Sequence, residues 1–443
     1  MEPVLQVALD FVNLDRALKA AREAAEGGAD WLEAGTPLIK SEGLEAVRAL
    51  RREFPSAIIV ADMKIMDAGR VETECAAKAG ANVVHVLGGA SDATIEECIE
   101  AARRYDAQVT VDLLGLGSAE SMVERAGQVE RMGAAAICIH TPIDLQMRGE
   151  LPFADLKAVA SQVSIPVAVA GGINSETAAD AIEGGASIVI VGGAITKSPD
   201  AKAAAEAIKK AITTGERIET DLFKRSDESG IAEVLMKTSA ADVTEALHNA
   251  GALAGVTPIV SGAKMVGRAL TVWTYPGDWA KPVEAIDVAD EGQVLVIDAG
   301  GLPPAVWGEK ATMSCLQRKL AGVVLNGAIR DVSDIRRMQF PAFATLITPV
   351  AGEPKGQGMI GVPLRFGGQY IRTGDWIIGD DDGVVVIPQE RIVDVANRAQ
   401  HVVEREEREM AEIDRGSTLG KVSELMRWEQ LRRESHGGKE EDK

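Results

Sequence analysis

Aromatic side chains are scarce in this 443-residue chain, at 4% of its residues, although 46% of the residues are hydrophobic. The interior must therefore be built from aliphatic and small side chains, as in α/β proteins rich in Ala, Val and Gly. Basic residues are outnumbered: 47 Lys and Arg face 67 Asp and Glu, for a formal net charge of −20. No basic block offsets that charge, which excludes nucleic-acid binding through phosphate contacts. A soluble, cytoplasmic protein is expected, one that meets small anionic ligands with local donors and not with a positive field. Cysteine is also rare. Cys75, Cys98, Cys138 and Cys315 show neither C-x-x-C pairing nor ligand spacing and read as reduced thiols. No apolar run reaches the ~18 residues of a membrane span, and strand-like sequence begins almost at the N-terminus, with no sign of a signal peptide.

What the chain does have, over residues 1–212, is a regular alternation of short apolar runs and amphipathic Ala/Glu/Lys-rich segments. The runs are VLQVALD (4–10), DWLEAG (30–35), AIIVAD (57–62), NVVHVL (82–87), QVTVDL (108–113), AAICIH (135–140), PVAVAG (166–171) and SIVIVG (187–192). Near-continuous apolar strands point to a parallel sheet covered on both faces. Eight βα units in so short a span predict a closed (β/α)8 TIM barrel, with a doubly wound open sheet as the alternative. The barrel is favoured because Asp10, Glu33, Asp62, Asp112 and His140 stand at strand carboxyl ends, which converge on one mouth only in a barrel.

Residues 213–229 are polar and charge-dense and read as a linker. Residues 230–390 carry Gly- and Pro-punctuated strands and predict a compact α/β domain with a mixed sheet. Residues 391–443 read as a charged helical tail with a disordered end.

The sharpest local motif is Asp62-Met63-Lys64-Ile65-Met66-Asp67 at the end of the third run. A lysine between two carboxylates at a barrel mouth can stabilise a developing oxyanion. Asp62, with Glu33 from the neighbouring strand, offers hard oxygen ligands suited to Mg²⁺ or another divalent cation. An exposed loop of salt-linked charges would look the same out of context. Gly171-Gly172 and Gly192-Gly193 each follow a strand and precede a helical segment, where backbone amides bind phosphate; tight turns needing glycine for backbone reasons alone are the alternative, and two pairs in successive units favour phosphate. His140 can move a proton, His85 reads as structural, and Asp10 and Asp112 as hydroxyl-binding carboxylates or satisfied rim residues.

The ordered set VALDFVNLDRAL, EAGTPLIKSEG, ADMKIMDAG, HVLGGA, VDLLG, IHTPIDLQ, VAGGIN and VGGAIT resembles the 3-hexulose-6-phosphate synthase family, in the orotidine-5′-monophosphate decarboxylase suprafamily of barrels. The resemblance implies a Mg²⁺-dependent lyase that interconverts ribulose 5-phosphate plus formaldehyde with a hexulose phosphate. By position it makes Glu33 and Asp62 metal ligands, Lys64 the enediolate stabiliser and His140 the acid/base. Asp10 and Asp112 contact hydroxyls, and Gly171, Gly172, Gly192 and Gly193 hold the phosphate. Asp67 reaches a partner subunit's site, implying at least a dimer. The related 3-keto-L-gulonate-6-phosphate decarboxylase carries an arginine three residues after the strand-six histidine, where this chain has Ile143. The synthase itself usually reads His-Thr-Gly-Tyr-Asp there, and this chain reads His140-Thr141-Pro142-Ile143-Asp144.

Beyond the linker, an adjacent Arg330-Asp331 ends an apolar strand. Such a pair can grip a carboxylate and hold a metal, or form a plain salt bridge. With GDW (277–279), GGLPPAVWGE, NGAIRD and GDDDGVVVIP in order, the segment resembles the RraA-like family, which includes oxo-acid aldolases and decarboxylases as well as ribonuclease regulators, assembled as trimers or hexamers. The resemblance gives Arg330 the oxo-acid carboxylate, Asp331 the metal, Glu309 a water-mediated metal contact, and Gly308 the anion pocket. Asn326 and Trp279 depart from the residues common in that family. A non-catalytic regulator or assembly module is the alternative for this domain.

Overall fold

The computed structural model of the chain describes residues 2–221 and 223–423. The chain forms two units. Of the described residues, the first holds those up to 146, those within 150–225, and 404–423; the second holds 147–149 and 226–403.

In the first unit eight parallel strands close into a barrel: β1 (Val4–Leu9), β2 (Trp31–Ala34), β3 (Ile58–Ile65), β4 (Val83–Leu87), β5 (Gln108–Asp112), β6 (Ala136–His140), β7 (Val167–Ala170) and β8 (Ile188–Val191). β1 pairs with β8, Val4 opposite Ile188 and Val7 opposite Val191, so no edge is left open. The doubly wound alternative is excluded by that closure. Strand side chains alternate between the helix layer and the barrel interior. Leu5, Val7 and Leu9 join the large core beneath the helices, whereas Ala8, Ala136, Cys138, Ala168 and Ala170 make a separate inner cluster. Ile188 and Ile190 complete that cluster, with Val4 and Trp31 packed against it.

The helices follow their caps. Leu14–Glu26 starts at Asn13, whose side chain accepts the Arg16 N–H, and stops at Gly27. A Cβ at Gly27 would press within 2.7 Å of the Ala205 methyl on helix Ala201–Thr214, so the glycine lets the first and last barrel helices meet.

The segment expected as a linker, 213–229, is divided at residue 225. Its first part is hydrogen-bonded to the barrel: Ile218 N–H donates to Ser175 O at 3.1 Å. The tail expected over 391–443 opens with a short 3-10 turn at Gln389–Arg391 and then helix Ile392–Asp414, whose residues from 404 belong to the first unit. The second helical run and disordered end expected beyond 423 lie outside the described residues.

The second unit is a nine-stranded mixed sheet. Its centre is parallel, Met265–Thr274 beside Val294–Asp298 and Gly322–Ile329, and one flank is an antiparallel hairpin of Trp376–Asp380 and Gly383–Ile387. Among the described residues no helix is long and apolar enough to cross a membrane.

Candidate active site

β3 carries the irregularity that builds the site. Its pairing with β4 is regular through Ala61 and shifts before Ile65, and Lys64 within the shift takes a left-handed backbone, φ 47°. Such a conformation is rare for a residue with a long side chain and marks a local constraint. It brings Lys64 Nζ to 2.7 Å from Asp62 Oδ2 and 3.6 Å from Asp112 Oδ2. Asp112, at the end of β5, also meets His140 Nδ1 at 3.0 Å from the end of β6. Four residues from three strands thus form one linked chain, Asp62–Lys64–Asp112–His140.

Asp62 is buried, and its two oxygens differ. Oδ2 accepts from Thr36 Oγ1 and from Lys64 Nζ, both at 2.7 Å. Oδ1 is buried with no hydrogen-bond partner among the described residues; His85 Nδ1 on β4 stands 3.5 Å away. Burial works against the charge on Asp62, but His85 and Lys64 overcome it and hold the carboxyl below the usual range. Burial likewise opposes the Lys64 charge, and Asp62 and Asp112 reverse the balance, keeping the ammonium protonated. Glu33, buried on β2, is pushed up to about 7 by burial and then by repulsion from Asp62; Gln6 Nε2 donates to its Oε2 at 2.5 Å. Asp10 has solvent on one side, yet loss of hydration on the others, and then Asp62, raise its pKa.

The arrangement fits a divalent cation. Two carboxylates repel each other in a dehydrated place, and one buried oxygen is unpartnered. A cation there would relieve both. Among the described residues no group of three or more His, Cys, Asp and Glu side chains converges as a ready ligand set, so Glu33 and Asp62 would share the ion with substrate or water oxygens.

The glycine pairs serve different ends. Gly171 and Gly172 have φ of 100° and 71°, so this turn needs glycine for its backbone. Gly192 and Gly193 are needed for space: a Cβ at Gly192 would crowd Asp10 Oδ2 at 3.2 Å, and one at Gly193 would overlap the ring of Phe223. Asp67 stands apart from the cluster, exposed, its Oδ1 accepting the neighbouring Ala68 N–H at 2.7 Å.

In the second unit, Arg330 and Asp331 follow strand Gly322–Ile329, and Glu309 opens helix Glu309–Gln317. With Trp279, Trp307 and Gly308 they line a cavity of about 470 Å³. Both Asp331 oxygens are engaged: Oδ1 by Arg330 Nε at 3.0 Å, and Oδ2 by the Glu309 N–H at 3.1 Å. A Cβ at Gly308 would lie 2.6 Å from Asp331 Oδ2, so glycine is required for that approach. Asn326 is turned elsewhere, donating to Asp298 Oδ1 at 2.7 Å, while Trp279 joins the cavity wall, its Nε1 donating to Gly352 O at 3.1 Å.

Sequence reasoning missed Gln6, Thr36 and the closeness of His85 to Asp62. Gln6 had a signal, a polar residue two positions before Ala8 and four before Asp10 on the inward face of an apolar strand. Thr36 had none, since its role depends on β2 lying beside β3.

Residues 3–208 match the family model described as orotidine 5′-phosphate decarboxylase/HUMPS, and residues 240–386 match the model described as RraA-like, aldolase/RraA. The chain is 38% identical over 212 residues to a 3-hexulose-6-phosphate synthase of Bacillus subtilis, covering 48% of this chain and 99% of that protein. It is 39% identical over 208 residues to a 3-hexulose-6-phosphate synthase of Mycobacterium gastri, covering 47% and 99%. A crystal structure of 3-hexulose-6-phosphate synthase aligns at 38% identity over 47% of this chain and 99% of that one, with a TM-score of 0.45. Through its barrel the chain belongs to the 3-hexulose-6-phosphate synthase family, with an RraA-like second unit on the same polypeptide.

Proposed function

We propose that the barrel joins formaldehyde to ribulose 5-phosphate, and reverses that step, as a Mg²⁺-dependent lyase working through an enediolate. The observation that carries the reading is the Asp62–Lys64–Asp112–His140 chain at the mouth of a barrel that aligns over nearly the full length of a 3-hexulose-6-phosphate synthase. Glu33 and Asp62 would hold the cation, which supplies positive charge for the enediolate oxygens. Lys64, kept protonated by two carboxylates, faces the same developing charge. His140, with Nδ1 held on Asp112, would take the C1 proton of ribulose 5-phosphate through Nε2. C1 then attacks the formaldehyde carbon: one C–H bond breaks, one C–C bond forms, and the new alkoxide receives a proton. No oxidant or reductant is involved. Gly171, Gly172, Gly192 and Gly193 take the phosphate, Asp10 contacts a hydroxyl, and Asp67 serves the site of a second copy, making the barrel at least a dimer. Ile143, where the related decarboxylase has arginine, favours the synthase over that enzyme.

For the second unit we propose a small oxo-acid as ligand, its carboxylate taken by Arg330 at the cavity rim beside the Gly308 amide. Asp331, with Glu309 through water, would hold a divalent cation beside it; each Asp331 oxygen already accepts one hydrogen bond, from Arg330 Nε or the Glu309 N–H, and keeps a lone pair for the ion. The alternative, a ribonuclease regulator, requires capture of a ribonuclease that survives Asp331→Ala. The deciding assay supplies the full chain with Mg²⁺, ribulose 5-phosphate and formaldehyde and follows both directions, with oxaloacetate and 4-hydroxy-4-methyl-2-oxoglutarate in parallel. Formaldehyde-dependent loss of ribulose 5-phosphate is expected, and its absence in both directions sinks the barrel reading.

A further inference from the structure

The charged stretch after the last barrel helix contains one aromatic residue, Phe223, and it is buried at 7% exposure. Residues on both sides of it are fastened to the loop that follows β7. Ser175 Oγ donates to Ile218 O at 2.8 Å, the Thr220 N–H donates to Glu176 Oε1 at 2.8 Å, and Lys224 Nζ pairs with that same carboxylate at 2.8 Å. Asn174 Nδ2 reaches Phe223 O at 3.4 Å. A tether between domains needs none of these bonds.

Phe223 itself is held in a costly way. Its backbone is left-handed, φ 57°, and its N–H donates to Glu404 Oε1 at 2.9 Å. Glu404 and Arg225 form a nearly dry ion pair at 2.9 Å, with side chains 4% and 2% exposed. The Arg225 guanidinium lies 4.4 Å from the centre of the Phe223 ring, and Lys197 Nζ lies 5.6 Å from it. The ring packs on Gly193 so closely that no side chain fits there. A rare backbone conformation and a buried ion pair persist only where the surroundings fix them, and both converge on the second glycine of the turn after β8.

A glycine pair without side chains is loose, and amides that must converge on an anion gain from being fixed beforehand. We infer that Phe223, locked by Arg225 and Glu404, is a positioning residue for phosphate: it fixes the Gly192-Gly193 turn and holds Lys197 over the same place. The inference rests on the reading of that turn as the phosphate subsite. It places residues outside the barrel sequence, 223–225 and 404, in the working unit of the enzyme.

The test uses the full chain and two readouts, the dissociation constant of inorganic phosphate by titration calorimetry and the KM and kcat for ribulose 5-phosphate. Phe223→Ala is expected to weaken phosphate about tenfold and raise KM similarly, with kcat changed less than about twofold. Phe223→Tyr, which keeps a ring on Gly193, should restore both constants. If the alanine variant does not fold, Phe223→Leu, which fills the space but offers no ring face to Arg225 and Lys197, carries the test with a smaller loss of about threefold. Unchanged phosphate affinity in a folded Ala or Leu variant overturns the positioning role alone. A parent chain that binds neither inorganic phosphate nor ribulose 5-phosphate overturns it together with the phosphate subsite. A fall in kcat at constant KM also overturns it.

Discussion

Each unit sets a carboxylate beside a cation from its own strand end, and the two pairs behave differently. In the barrel, Asp62 and Lys64 are two residues apart and both face inward, with side chains 7% and 22% exposed. Among the described residues Asp62 keeps one buried oxygen unpartnered, and Glu33 and Asp10 press on it with their own charge. In the second unit, Asp331 gives one oxygen to Arg330 and the other to a backbone amide, and Arg330 is 40% exposed. The barrel pair is electrostatically loaded and the other pair is satisfied. Identical charges become a stressed site only where a closed barrel strips water from several acids at once, because dehydration strengthens every interaction among them.

That contrast can be broken most directly at the two cations. Lys64→Ala should lower formaldehyde-dependent consumption of ribulose 5-phosphate by about a thousandfold or more, with an unchanged circular dichroism spectrum. Arg330→Ala should leave that rate within about twofold. Comparable losses in both variants would erase the distinction. Stripping divalent cations should come next, costing the barrel reaction about a hundredfold and recovering on Mg²⁺ addition, equally in the parent and in Asp331→Ala. A smaller effect is expected at Thr36, whose hydroxyl orients Asp62: Thr36→Val should cost about tenfold in kcat/KM without shifting the melting temperature by more than a few degrees.

The smallest effect concerns stability. Burial lowers the Lys197 pKa from 10.5 to about 8, with Arg225 and Arg405 adding to the shift and Glu404 and Asp10 opposing it. Folding therefore carries the full cost of a dehydrated ammonium below pH 8, and the cost fades as pH rises toward 10.5, where the lysine is neutral folded or unfolded. Lys197→Met should stabilise the chain at pH 7 by on the order of 2 kcal/mol, and denaturant titrations at successive pH values should show the gain shrinking above pH 8. A gain independent of pH would remove charge burial as its cause.

Much of this was legible in the chain itself. The eight apolar runs mark the eight strands to within a residue or so at each end, except that β3 runs on to Ile65, because strands covered on both faces are mostly apolar. Asp62, Asp112 and His140 announced the mouth for the same reason. In the second unit, the ordered glycine motifs marked the RraA-like segment, while the state of Arg330 and Asp331 had no sequence signal.

Sequence by itself determined the eight strands and the polar residues near their carboxyl ends, since strands covered on both faces read as near-continuous apolar runs. Only the tertiary structure decided what those residues do to one another. The bulge at Lys64 aims its amine at two carboxylates, and Thr36 reaches Asp62 from the start of the helix that follows β2. The segment predicted as a linker places Phe223 on Gly193, with Glu404 supplied from 181 residues further along the chain. These are contacts between positions remote in sequence. Their energies depend on distance and dehydration, and neither quantity exists until the chain has folded.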